Sequence, residues 1–202
     1  MEAHLGPDRR EPLMSLPALL SLLGLLCWIA YELLLRRRED ASAGSWHADR
    51  GDRGSTRLLL GCYALSVLAV VLFDRAAVGE LPTWARWFGV AAVAAGLALR
   101  AWGMRTLGRY YTRTLRTVDT QRVVRTGPYR LIRHPGYAGS LLVWVGYAVG
   151  TGSWAAALVV AALLLAAYGW RISAEERLLL DALGNEYAEY RRVSKRLVPF
   201  IY

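Results

Sequence analysis

Cysteine is nearly missing from this chain. Cys27 and Cys62 are the only two in 202 residues. Both fall inside apolar runs, where a free cysteine behaves as a small hydrophobe, so neither a disulfide framework nor a cysteine metal site is implied. Polar sequence outside the apolar runs is also scarce, which excludes a separate soluble catalytic domain. No small-residue cleavage site follows the first apolar run, which is too long for the core of a signal peptide. Arg36-Arg37-Arg38 follows it instead and reads as a stop at the cytoplasmic face. The formal net charge is +9, but no nucleic-acid motif accompanies it.

Apolar length is what the chain has in plenty, being 55% hydrophobic and 20% charged. A membrane-crossing helix needs roughly 20 apolar residues. Leu13–Leu35 meets this outright. Arg57–Phe73 is a little short, and Trp84–Met104 carries Arg100 as its interior charge. Tyr137–Val149 and Trp154–Trp170 form a pair split by Gly150-Thr151-Gly152-Ser153, the first of them short for a full crossing. These runs predict an all-α integral membrane protein with about five transmembrane helices, the last two a helical hairpin. Residues 1–12, polar with two prolines, are expected to be a flexible N-terminus.

The basic residues sort by side. Segments 36–57, 105–136 and 171–202 hold 6, 8 and 6 of them, whereas the opposite side holds only Arg9, Arg10, Arg75 and Arg86. This asymmetry predicts an N-out, C-in orientation, with basic segments that attract anionic head groups. Trp84, Trp87, Trp102, Trp154 and Trp170 sit near predicted helix ends, as interfacial aromatics do. Trp46 and His47 fall in a small-residue, charged loop that reads as solvated.

Residues 105–134 make a cytoplasmic connector that mixes Arg and Thr with apolar positions and turns at Gly127-Pro128. A connector of this length is either functional or disordered, and its apolar residues and tight turn favour order. Beyond Trp170, an apolar stripe of Leu178, Leu179, Leu180, Leu183 and Tyr187 continues the last helix to a cap or break at Gly184-Asn185. A short helix over Glu186–Arg192 and the run Arg196-Leu197-Val198-Pro199 follow, the outline of a C-terminal helical lid under the helix ends.

The chemistry-bearing residues cluster at one depth. Proline favours the first position of a helix, so Pro135 starts the fourth helix with His134 at its cap. The open N–H groups of that turn suit an anion, with Arg133 and His134 beside it. Glu175 and Glu176 lie about one turn past the apolar part of the fifth helix, and neighbouring helical residues point roughly 100° apart, so one can face a pocket while the other pairs outward. Arg171 stands at i−4 from Glu175, the spacing of an ordinary surface pair. The hairpin returns these carboxylates beside Pro135. A ligand carrying both an ammonium and a carboxylate suits the pairing; S-adenosylmethionine is one, and a phosphate-bearing dinucleotide would also suit the Arg-rich connector.

The run Gly127-Pro128-Tyr129-Arg130…Arg133-His134-Pro135-Gly136-Tyr137-Ala138-Gly139, then Glu175-Glu176, Gly184-Asn185-Glu186-Tyr187-Ala188-Glu189-Tyr190 and Arg196-Leu197-Val198-Pro199 closely resembles the isoprenylcysteine carboxyl methyltransferase family. The resemblance covers roughly residues 105–202. The phospholipid N-methyltransferases share a looser form of the pattern. Membrane sterol reductases, which bind NADPH and are generally longer, have a similar C-terminal one. The resemblance implies an integral-membrane methyltransferase that uses S-adenosylmethionine and no metal, with its site at the cytoplasmic face. By it, His134, Tyr137 and Gly139 line the cofactor, Glu175 or Glu176 meets its polar groups, and Gly127, Pro128 and Tyr129 shape the connector wall, with Leu178 and Tyr190 as further candidates. Arg133 and Arg171 are the candidates to orient a substrate carboxylate. An amine acceptor would instead need Glu176 or Glu175 as base. Residues 13–104 would shape the path of a lipid-like or isoprenoid acceptor, with Arg100 either touching it or snorkelling, and residues 105–202 would hold the cofactor.

Overall fold

The computed structural model describes residues 14–42, 54–108 and 123–199. The expected flexible N-terminus, the Trp46-His47 loop and the 109–122 part of the connector lie outside the described residues. Six α-helices follow in order: α1 (Leu16–Ser42), α2 (Ser55–Arg75), α3 (Thr83–Leu107), α4 (Pro135–Thr151), α5 (Trp154–Leu183) and α6 (Asn185–Val193), with a 3-10 turn at Gly127–Arg130.

The helix ends follow local chemistry. Pro82, with φ −63°, precedes α3, and Pro135 is the first residue of α4 with His134 at its cap. Gly152 closes α4 at φ 117°, a left-handed conformation that favours glycine. One residue on, the Ser153 side chain caps α5 by accepting a bond from the Ala156 N–H at 3.1 Å. Thus the expected hairpin forms from a glycine stop and a serine start. Gly184, at φ 53°, separates α5 from α6.

Among the described residues, four helices are long and apolar enough to cross a membrane: those spanning Leu16–Leu34, Thr56–Arg75, Thr83–Leu107 and Trp154–Leu183. The expectation of about five crossings meets a difference at α4, which has 17 residues and is not among them. The reason is length: 17 residues fall short of the roughly 20 that a crossing needs. α4 packs against α1, α2, α3 and α5. α5 is the opposite case: its 30 residues extend ~45 Å, more than the ~30 Å hydrocarbon slab, so its last turns project beyond the apolar layer as one rigid rod.

The α3–α4 contact is a seam of glycines spaced by seven. Gly89, Gly96 and Gly103 on α3 face Gly139, Gly146 and Pro135 on α4. A Cβ placed on Gly96 would stand 2.5 Å from the Gly139 carbonyl oxygen, and one on Gly139 would stand 2.6 Å from the Gly96 carbonyl oxygen. The two backbones touch, as in the small-residue interfaces of membrane helices. Across α4's other side, Tyr63 of α2 stacks on Trp144 with centroids 4.7 Å apart, and Trp28 of α1 meets both rings edge-on. The C-terminal segment then clips onto the start of α4: Lys195 N–H donates to Leu131 O (2.9 Å), Arg133 N–H to Lys195 O (2.7 Å) and His134 N–H to Arg196 O (3.1 Å).

Gly96→Ala is expected to lower stability by about 1–3 kcal/mol through overpacking against backbone. Gly61→Ala on α2, where a Cβ meets nothing within 4 Å, should be neutral or gain up to ~1 kcal/mol of helix propensity. Thermal unfolding in detergent checks the pair; equal melting temperatures would rule out the seam.

Candidate functional site

The last turns of α5, the cap of α4 and the C-terminal segment converge on one carboxylate. Glu176 is 2% exposed. Its Oε1 accepts from Arg133 Nε at 2.9 Å and lies 3.3 Å from His134 Nε2. Its Oε2 accepts from Arg196 Nη2 at 3.1 Å, with Arg191 Nε at 3.7 Å. Arg133 also donates to the carbonyls of Arg191 and Ser194, which ties α6 and the segment after it to the start of α4. A buried charge must be paired and hydrogen-bonded to be tolerated, and Glu176 is satisfied from three segments.

Glu175 is differently placed. Its side chain is 31% exposed, accepts from the Tyr137 hydroxyl at 2.9 Å and stands 3.9 Å from His134 Nδ1. Arg171 Nε donates to the same hydroxyl at 2.8 Å, and Arg171 Nη1 reaches Thr56 Oγ1 of α2 at 3.2 Å. So Arg171 and Glu175, four residues apart, meet through Tyr137 rather than pairing directly. The two glutamates do divide as adjacent helical residues should: Glu176 inward into a cationic clasp, Glu175 toward an open side.

His134, Tyr137, Arg133, Arg171, Glu175 and Glu176 are therefore brought together as the sequence suggested. The remaining candidates are not all at this spot. Gly139 lies in the α3–α4 seam, against Gly96 and Arg100. Gly127, at φ 57°, packs on Thr106 and Trp102 at the end of α3, and Pro128 and Tyr129 are buried in the turn after it. Tyr190 donates its hydroxyl to Tyr129 O at 2.7 Å, and burial pushes that hydroxyl up to about 12, so it stays protonated. Leu178 is half-buried on α5. The expected open anion site at the α4 cap is corrected in one respect. The Arg133 and His134 side chains face Glu176, because a buried carboxylate already claims them.

A second polar cluster lies at the other side of α4's first turns. Arg100, 7% exposed, does not snorkel. It forms an ion pair with Glu32 of α1 and donates Nη1 to Gly136 O and to Ser140 Oγ, each at 3.0 Å. Trp28 Nε1 donates to Ser140 Oγ at 3.1 Å, and the Trp28 ring lies 5.9 Å from the guanidinium carbon. Sequence reasoning passed over Glu32. The signal was there: it is the lone charge within Leu16–Leu34, and a charge in an apolar span is a functional candidate by default.

A family model for phospholipid methyltransferases matches residues 84–186. The protein-S-isoprenylcysteine O-methyltransferase B of Arabidopsis thaliana is 30% identical over 154 residues, covering 73% of this chain and 78% of its own length. The chain belongs to the isoprenylcysteine carboxyl methyltransferase family. It is a membrane methyltransferase. A probable protein-S-isoprenylcysteine O-methyltransferase of Oryza sativa subsp. japonica is 29% identical over 168 residues, covering 79% of this chain and 87% of its own. The solved structure of a eukaryotic intramembrane Ras methyltransferase, ICMT, matches the fold with a TM-score of 0.53 at 23% identity, over 72% of this chain and 52% of that one. The chain thus spans about half the length of that structure. In this methyltransferase the family match takes in Arg100, His134 and both glutamates, but neither Glu32 nor Arg196.

The two glutamates should separate on mutation. Glu176→Gln leaves Arg133 and Arg196 without their buried counter-charge and is expected to destabilise by about 3–5 kcal/mol. Glu175→Gln, at a partly exposed site, should cost under ~1 kcal/mol. Thermal unfolding of both variants checks this, and equal losses would refute the division.

Proposed function

We propose that this protein transfers the methyl group of S-adenosylmethionine to the carboxylate of an isoprenylcysteine-type lipid acceptor, at the cytoplasmic face of the membrane. One observation carries the reading: a partly open carboxylate, Glu175, and a buried guanidinium, Arg100, flank the same first turns of α4. The first suits the ammonium or ribose hydroxyls of the methyl donor, and the second suits the acceptor's carboxylate. Gly136, Tyr137 and Ser140 belong to adjacent turns, so the two groups stand on neighbouring faces of one helix. The basic segments, gathered on one side in the N-out, C-in arrangement, support the cytoplasmic placement.

The donor set fits S-adenosylmethionine by its chemistry. Glu175 offers a carboxylate, Tyr137 a hydroxyl held between Glu175 and Arg171, and His134 a ring nitrogen beside both. When bound, S-adenosylmethionine supplies a sulfonium methyl group open to attack by a carboxylate oxygen. The chain's own contribution is alignment and exclusion of water. Tyr137 and His134 fix Glu175; Glu176, through Arg133 and Arg196, holds the C-terminal segment over the site. Arg171 positions Tyr137 and ties it to α2, and Arg100 takes over the acceptor-orienting role first expected of Arg133. An ionised carboxylate needs no general base. Bringing it beside a cation in a dry site favours the charge-dispersed transition state over the separated charges, and fixing the line of attack adds to this.

Two measurements test the reading. Calorimetric titration in detergent should show S-adenosylhomocysteine binding, weakened at least ~10-fold in Glu175→Gln, a loss on the scale of a charge-assisted hydrogen bond; binding of NADPH without S-adenosylhomocysteine would overturn it. With methyl-labelled donor, a farnesylated cysteine bearing a free carboxylate should gain a base-labile methyl. Labelling of phosphatidylethanolamine in base-stable form, with none on the farnesylated cysteine, would shift the acceptor to an amine.

A further inference from the structure

The Glu32–Arg100 pair is an unusual way to hold α1 to α3. Burying two charges costs several kcal/mol each, and well-packed apolar residues often do as well or better. Trp28 already ties α1 to α4, through Ser140 and through its ring contacts with Tyr63 and Trp144. The guanidinium, moreover, is fixed without Glu32, by the Gly136 carbonyl and the Ser140 hydroxyl. What Glu32 adds is charge: the lone carboxylate of the α1 apolar span is placed on the one arginine that stands beside α4's first turn from the α3 side.

Two demands on that arginine conflict. It must draw a carboxylate into a dry site, where an ion pair is far stronger than in water. Yet the carboxylate loses its charge as it reacts: its oxygen lone pair forms the new O–C bond, the C–S bonding pair leaves with sulfur, and no proton moves. A bare guanidinium would therefore hold the ground state more tightly than the transition state, and such binding lowers KM and kcat together. We propose that Glu32 is a positioning residue that offsets the charge of Arg100, so that the guanidinium orients the acceptor's carboxylate without quenching it as a nucleophile. This rests on the reading that Arg100 meets the acceptor.

The test is a split between KM and kcat. Glu32→Gln should lower the acceptor KM and lower kcat, each by ~10-fold, the scale of a hydrogen bond to a charged group. Glu32→Asp, which keeps the charge but shortens its reach, should show the same signs at smaller amplitude, and it keeps the test alive if Glu32→Gln does not accumulate. S-adenosylhomocysteine affinity reports that each variant is folded. A merely structural Glu32 would give reduced thermal stability with KM unchanged or raised, which overturns the proposal. Arg100→Gln separates the two layers. If it raises the acceptor KM while Glu32→Gln leaves KM untouched, the role of Glu32 alone is wrong. If Arg100→Gln leaves KM unchanged with donor binding intact, the placement of the acceptor is wrong and the role of Glu32 falls with it.

Discussion

The site depends on one buried negative charge. Glu176 draws Arg133 and His134 from the start of α4 and Arg196 from the C-terminal segment onto a single carboxylate. α6 is rich in charge, yet its Tyr187 and Tyr190 pack with Tyr129, Leu179, Leu180 and Leu183. The ion cluster and this aromatic patch together close that end of the molecule, and they leave Glu175 as the partly open member of the pair. The cost of burying so many charges is met by hydrogen bonds that run to backbone as well as to side chains, with Arg133 reaching two carbonyls besides Glu176.

The α3–α4 seam does the corresponding work inside the membrane. Lipid gives no hydrophobic drive for helices to associate, so close backbone approach has to supply the contact energy. That approach is also what carries Arg100 to within hydrogen-bond reach of Gly136 and Ser140. The Glu176 clasp and the Glu32–Arg100 pair therefore share α4, the shortest of the five helices that make up the core. Its few residues are nearly all committed to neighbours: seam, cap or aromatic stack.

Much of this was legible in the chain. Apolar run lengths gave the helices, Pro135 and the Gly152-Ser153 stop and start gave the hairpin, and the spacing from His134 to Glu175-Glu176 gave the cluster. Three things were not. Which glutamate is buried depends on the helix's rotation, and no local pattern sets that. The place of Gly139 in the helix seam went unread, because a motif hides the seven-residue spacing to Gly146 that pairs it with α3. Glu32 was hidden by its surroundings: run length averages over a single charge, and its partner lies 68 positions away. Long-range pairs of this kind exist only once the helices are assembled.

Glycine is the smallest letter in the alphabet, so every substitution at Gly96 or Gly139 is an addition. The nearest atom that the added carbon would meet is in each case a carbonyl oxygen of the opposing main chain, which has no smaller version to retreat to. Paired compensation, the route by which most cores drift, is closed along this line. A chain built this way can exchange its aromatic cluster piece by piece through evolution, but it must keep the groove between α3 and α4 as it is.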